Sequence, residues 1–294
     1  MKRSYIELHI AVLLAGFTGI FGRLVTLNAV LISWYRMMLA GIILILLALL
    51  SKQKFNIPLK KQIQIGAVGA VLAIHWVFFY GSIKYANISV GVVCFALSSF
   101  FTAVLDPLLS KRRIAIQEVL LSGISVLGIA LIFGIDSTYR LGIILGMISS
   151  VFSAIYTILN KKLAEQYTGK TIQLYQMTWG FLGFSVLMPL FAFVFKVERY
   201  LPTLKDLFWL LILVVFCTIL MYVFILNALK KISAFTVSLS FNLEPLYTIF
   251  LAIIIYHENH ELSLAFYAGL VFIVLSVVLQ MLRVWRLQLK SSEN

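Results

Sequence analysis

The stretch Ala234 to Tyr256, AFTVSLSFNLEPLYTIFLAIIIY, decides the fold. A run of roughly 20 apolar residues matches a hydrocarbon core about 30 Å thick, and this one is long enough to cross it. Near its middle, however, stand Glu244 and Pro245. An ionisable side chain at that depth costs at least roughly 2.5–3.5 kcal/mol on insertion scales, so it tends to face an interior or a wet cavity. Pro245 brings no N–H, and its ring clashes with the carbonyl of Phe241 four residues back. That carbonyl must find another partner in protein or water. Projected at about 100° per residue, Ser233, Thr236, Ser240, Glu244, Tyr247 and Thr248 share one face, with Ser238 and Asn242 on the far side. Glu244 therefore has two readings: a packing tie to a neighbouring helix, or a member of a substrate or proton pathway. Intramembrane charge favours the second.

Composition agrees with a membrane chain. The 294 residues are 62% hydrophobic and 12% charged, whereas soluble domains run about 25% charged. Apolar windows give ten candidate spans, at 6–22, 29–50, 62–83, 88–110, 114–134, 141–160, 172–195, 206–229, 234–256 and 262–283. Lys2 and Arg3 precede the first, which is read as a retained span rather than a cleaved signal. The net charge of +13 does not point to nucleic acid, because the basic residues sit in short loops. Counted by alternate loops, seventeen Lys and Arg fall on one side and six on the other. The positive-inside rule then places both termini in the cytoplasm, in a multi-pass protein of the cytoplasmic membrane. Only the tail after Arg286 is polar enough to be loose. Cys94 and Cys217 lie inside apolar runs and suggest neither a disulfide nor a metal site.

The halves resemble each other. Tyr85-Ala86-Asn87-Ile88-Ser89 and Lys230-Lys231-Ile232-Ser233-Ala234 are both very short junctions leading into a Ser/Thr-bearing span. Five spans per half is an odd number, so the second copy must enter the lipid from the opposite side, as inverted repeats do. The expected organisation is an all-α integral membrane protein of ten transmembrane helices: a first repeat at 1–135, a second, inverted repeat at 136–286, and a short cytoplasmic tail at 287–294. Ser98, Thr102 and Asp106 form one face of the fourth span. Asp106 is read as a partner of Lys111, Arg112 or Arg113.

Other polar residues inside spans are candidates. Arg36 lies roughly 10 Å below the outer edge at about 1.5 Å per residue; it either snorkels outward or points inward at a carboxylate or an anionic substrate group. His75, Trp76, Tyr80, Gln176 and Trp179 are amphipathic side chains of the kind that line a pocket for a mixed polar and apolar solute, although a lone intramembrane histidine is more often a satisfied hydrogen-bonder between helices. An imidazole's ordinary near-neutral titration leaves room for a coupling proton. His257-Glu258-Asn259-His260 does not fit the zinc-protease helix, whose histidines are four apart. No metal or cofactor is expected, and no nucleotide-binding loop is seen, so ATP-driven transport by this chain alone is not expected.

Several motifs carry a resemblance over nearly the whole chain. Tyr35-Arg36-Met37-Met38-Leu39-Ala40, the paired junctions above, Asn242-Leu243-Glu244-Pro245, His257-Glu258, and the small residues Gly123, Gly128, Gly269 and Ser276 resemble the EamA-type branch of the drug/metabolite transporter superfamily. Phe101 stands where members often have proline, and Ser110-Lys111 where an acidic residue is common. The resemblance implies a secondary active transporter, mostly an exporter of amino acids or other small metabolites, working by alternating access. It implies a central cavity lined by spans of both halves, and Glu244, Arg36, His75, Trp76, Tyr80, Gln176, Trp179 and Ser240 are expected to line it, with Pro245 as hinge. The partners are then a small-molecule substrate and the lipid bilayer, and both monomer and homodimer stay open. Two rivals are a flippase or carrier for a lipid-linked or nucleotide-linked group, and a membrane-embedded enzyme. The second is disfavoured because the polar residues are scattered rather than convergent.

Overall fold

The structure is a computed structural model and describes residues 2–51, 57–133, 139–257 and 263–292. All regular elements among them are helical. They are α1 (Lys2–Leu24), α2 (Ala29–Leu50), α3 (Leu59–Tyr85), α4 (Ile88–Phe95), α5 (Leu97–Leu109), α6 (Ile116–Phe133), α7 (Arg140–Ala164) and α8 (Gly169–Val194). Then follow α9 (Leu204–Val214), a π turn (Val215–Leu220), α10 (Met221–Leu229), α11 (Ala234–Ser240), a 3-10 turn (Phe241–Leu243), α12 (Glu244–Tyr256) and α13 (Leu264–Ser292). Among the described residues, nine segments are long and apolar enough to cross a membrane. The tenth expected span appears as the shorter apolar segment Ile116–Leu131.

The starts of the helices follow from local chemistry. Asn28, Thr168, Thr203 and Ser233 each place a side-chain oxygen on a free backbone N–H of the first turn. This satisfies a donor that the helix itself leaves unpaired. Asn87 does the same for α4 through the Val90 N–H, so the tight turn between α3 and α4 needs only Ala86 and Asn87. At the other end of the chain, the tail is not loose over its whole length: α13 continues to Ser292, through Leu, Arg, Gln and Lys, all good helix formers.

α3 is, after the α4–α5 span, the most enclosed of the long apolar segments, packed between α7 and α8. Its glycines make that possible. A Cβ at Gly69 would lie 2.1 Å from the Gln176 carbonyl oxygen, and one at Gly66 would lie 2.2 Å from the Trp179 Cβ. Small residues let spans approach closely where lipid offers no hydrophobic drive between them. α6 and α13 pair mainly with each other, at the periphery, and are joined by the Ser125–Ser276 hydrogen bond of 2.6 Å.

Three spans are interrupted: the fourth at Ala96, the eighth by the π turn and the ninth by the 3-10 turn. The last follows from Pro245. With no N–H at 245, the Phe241 carbonyl is taken by the Glu244 N–H one residue earlier, which tightens the coil to three residues per turn. Pro245 then falls in the first turn of α12, where a missing N–H costs little.

A mid-membrane cavity between Arg36 and Glu244

Residues from α1, α2, α3, the α4–α5 span, α7, α10, α11 and α12 meet at a cavity of about 60 Å³ halfway along the spans. Arg36 and Glu244 both line it, with His75, Trp76, Tyr156 and Tyr222.

Arg36 is fully buried, so it does not snorkel. Its Nε donates to Thr218 Oγ1 at 2.6 Å, its Nη1 to the Tyr80 hydroxyl at 2.8 Å, and its Nη2 to the Cys217 carbonyl. Its guanidinium carbon lies 3.9 Å from the centre of the Trp76 ring, a cation–π contact. A guanidinium has five N–H donors, so two carry no protein partner among the described residues.

Glu244 is 3% exposed, and its carboxylate accepts no protein hydrogen bond among the described residues. Nor does an ion pair join it to Arg36. An acidic and a basic side chain thus share one cavity without touching each other. A buried charge left unpaired is costly, which makes these the groups with most to gain from a bound solute.

His75 is oriented by α7. Its Nδ1 lies 3.0 Å from the Ser149 carbonyl and 2.8 Å from the Ser149 hydroxyl. That hydroxyl donates to the His75 carbonyl, and a carbonyl can only accept, so Nδ1 carries the hydrogen and Nε2 is left as an acceptor. Phe79 and Phe95 flank the ring. Trp76 Nε1 donates to the Tyr222 hydroxyl at 3.2 Å.

The remaining expected site residues fall in other places. Tyr80 stands behind Arg36 and holds it. Gln176 backs the wall: its Oε1 accepts from the Tyr156 hydroxyl at 3.2 Å and its Nε2 donates to Asn160 Oδ1 at 2.8 Å. Trp179 bonds Gln62 Oε1 at 3.0 Å across the α3–α8 contact and does not line the cavity. Ser240 donates to the Thr236 carbonyl and lines a separate groove with His9 and Gln280. The 3-10 turn explains why Ser240 and Glu244 part. Three residues at about 120° instead of 100° add a rotation of roughly 60°. This carries Glu244 off the Ser240 face and onto that of Val237 and Phe241, both cavity residues. Asp106 pairs with Arg112 at 3.2 Å, one of the partners expected for it. Of His257-Glu258-Asn259-His260, residues 258–260 lie outside the described residues; His257 ends α12 in a left-handed conformation.

Sequence reading did not reach Tyr156, Tyr222, Ser98 and Ser238 as cavity residues. Tyrosines usually mark the membrane interface, so two of them deep within spans were the available signal. The π turn at 215–220 gave no sequence signal, since it contains neither proline nor glycine.

The pattern of the EamA-like transporter family matches residues 3–134 and 140–282. The chain is 26% identical over 211 residues to an uncharacterized transporter of Clostridium kluyveri, covering 67% of this chain and 65% of that protein. It therefore spans just under two thirds of that relative's length. It is 25% identical over 258 residues to an uncharacterized transporter of Haemophilus influenzae, covering 83% of this chain and 79% of that protein. One crystal structure superposes with a TM-score of 0.67 at 14% identity, over 93% of this chain and 95% of the other, which shows a shared fold.

Proposed function

The chain belongs to the EamA-like transporter family, and on that premise we propose that it carries amino acids or kindred small zwitterionic metabolites out of the cytoplasm through the Arg36–Glu244 cavity. It is a multi-pass membrane transporter. One observation carries it: a guanidinium with two uncommitted N–H groups and an unpaired carboxylate line one mid-membrane cavity walled by aromatic rings. A carboxylate suits the first, an ammonium the second, and an apolar body the rings.

The cavity's roughly 60 Å³ is well under the roughly 300–1,000 Å³ of ordinary ligand sites. Loading a solute therefore requires the surrounding spans to separate, as alternating access demands. The interrupted ninth span supplies a bend at Pro245, and the two halves, 1–135 and 136–286, would rock as inverted repeats. Both termini are assigned to the cytoplasm of the cytoplasmic membrane, on the loop charges. A carrier of polyanionic headgroups is less well supported, since among the described residues Arg36 is the only Lys or Arg on the cavity wall.

Thermal-shift screening of the purified protein against amino acids, nucleobases, sugars and cations tests the substrate class. Stabilisation by zwitterions, with uptake of the same compounds by inverted vesicles, is expected. Stabilisation by nucleotides or sugars alone would overturn it.

A further inference from the structure

The structure assigns to Gln173, a buried side chain of α8 that does not line the cavity, the task of aiming Arg36 at the anionic end of the substrate. This rests on the proposed reading of the cavity and deepens it. Gln173 Nε2 donates to two carbonyls, Thr218 O at 2.8 Å and Ile219 O at 3.1 Å. Both belong to the π turn Val215–Leu220. The same turn supplies two of the three protein acceptors of Arg36, Thr218 Oγ1 and the Cys217 carbonyl. Gln173 thus grips the turn through its carbonyls while Arg36 bonds it through the adjoining groups. The Thr218 hydroxyl also donates five residues back to the Leu213 carbonyl, a contact at the spacing of a π turn.

π turns are rare and concentrate at functional sites. They hold one more residue per turn than the flanking α-helix needs. Reversion to the α register would turn residue 217 or 218 by roughly 100° about the span, withdrawing the acceptors that fix the guanidinium. The Gln173 amide opposes that reversion. A second observation shows that its donor matters: Gln173 Oε1 is buried without a partner among the described residues. An unsatisfied acceptor is a cost that leucine or methionine would avoid. Packing alone would favour either of them, so the amide is there for its N–H groups. Gln173 is a positioning residue, acting through Thr218 and Cys217 on Arg36, whose two uncommitted N–H groups are left to meet a carboxylate.

The test uses full-length protein in detergent, with thermal shift read against L-amino acids and against their C-terminal amides, which keep the ammonium and lack the carboxylate. Wild type should favour the acids. Gln173→Leu should weaken binding of the acids about ten-fold while leaving the amides unchanged, so the preference collapses. Thr218→Val, which removes the hydroxyl that accepts from Arg36 Nε and donates to the Leu213 carbonyl, should shift the preference the same way and stands in if Gln173→Leu does not survive solubilisation. A purely structural role would weaken acids and amides alike, and that result, or an intact acid preference in both variants, overturns the inference while leaving the cavity reading standing. If wild type binds neither series, the cavity reading itself falls, and this inference with it.

Discussion

Arg36 lies face-on to Trp76, 3.9 Å from its ring centre, and the same indole donates to Tyr222. The ring therefore holds the cavity's cation over its face and a tyrosine hydroxyl at its edge. A desolvated cation–π contact contributes about 2 kcal/mol. Trp76→Leu should then weaken binding of acidic or zwitterionic ligands about ten- to thirty-fold, and Trp76→Phe, which keeps a ring face, should cost less. Ligand titrations of the two variants check this; equal losses would mean that the π face is not what holds Arg36.

Glu244→Gln keeps the shape of the side chain and removes its charge. On the proposed reading the carboxylate pairs with the substrate's ammonium, and removing one member of such a buried pair costs about 2–5 kcal/mol, so transport should fall by at least about thirty-fold while membrane abundance stays normal. A variant that reaches the membrane in full amount and transports at the wild-type rate removes the carboxylate from the mechanism.

How far the sequence reached can be judged at Glu244 itself. Its depth, its burial and the disturbance at Pro245 all follow from residue types and span length. Its face does not follow, because a projection at constant pitch cannot contain the extra roughly 60° of a 3-10 turn. Arg36 was legible as a buried charge candidate for the same reason as Glu244. Its partners were not, since Cys217, Thr218 and Gln173 become acceptors and clamp only once a π turn forms. Gln176 and Tyr80 fall one layer behind the cavity: periodicity identifies a polar residue within a span but not its distance from a wall built by other spans.

Gly69 offers a test of the packing that frames the site. A Cβ there would sit 2.1 Å from a backbone oxygen of α8, and backbone cannot rotate aside as a side chain can. Gly69→Ala should lower stability by about 1–3 kcal/mol, the usual cost of overpacking. Gly183→Ala is the control at the same helix pair, because its Cβ would meet Ala70 Cβ at an ordinary 3.7 Å. Detergent melting curves should drop for the first and hardly move for the second.

Asp206 ties the α1–α2 turn to the start of α9. Its carboxylate accepts from the Thr26 N–H at 2.6 Å, the Thr203 N–H at 3.0 Å and Arg199 Nη2 at 2.8 Å. Arg199 is half exposed, so the ion pair itself counts for little; the stranded backbone donors count for more. Asp206→Ala should cost roughly 2–4 kcal/mol, Asp206→Asn less, and Arg199→Ala under about 1 kcal/mol. If the arginine change proves as damaging as the aspartate change, the ordering of these contributions is wrong.

Pro245 separates the presence of the carboxylate from its direction. Alanine at 245 restores an N–H four residues after Phe241, whose carbonyl now bonds Glu244 instead. The cause of the 3-10 turn disappears, and an unbroken α-helix would swing Glu244 back by roughly 60° toward the Ser240 face. Stability should hold or rise slightly, because proline in a first turn contributes little that alanine does not. Transport and ligand-induced stabilisation should nevertheless fall, as in Glu244→Gln, although the acid is still present. A Pro245→Ala protein that melts normally and transports normally would mean that the carboxylate works without the turn that aims it.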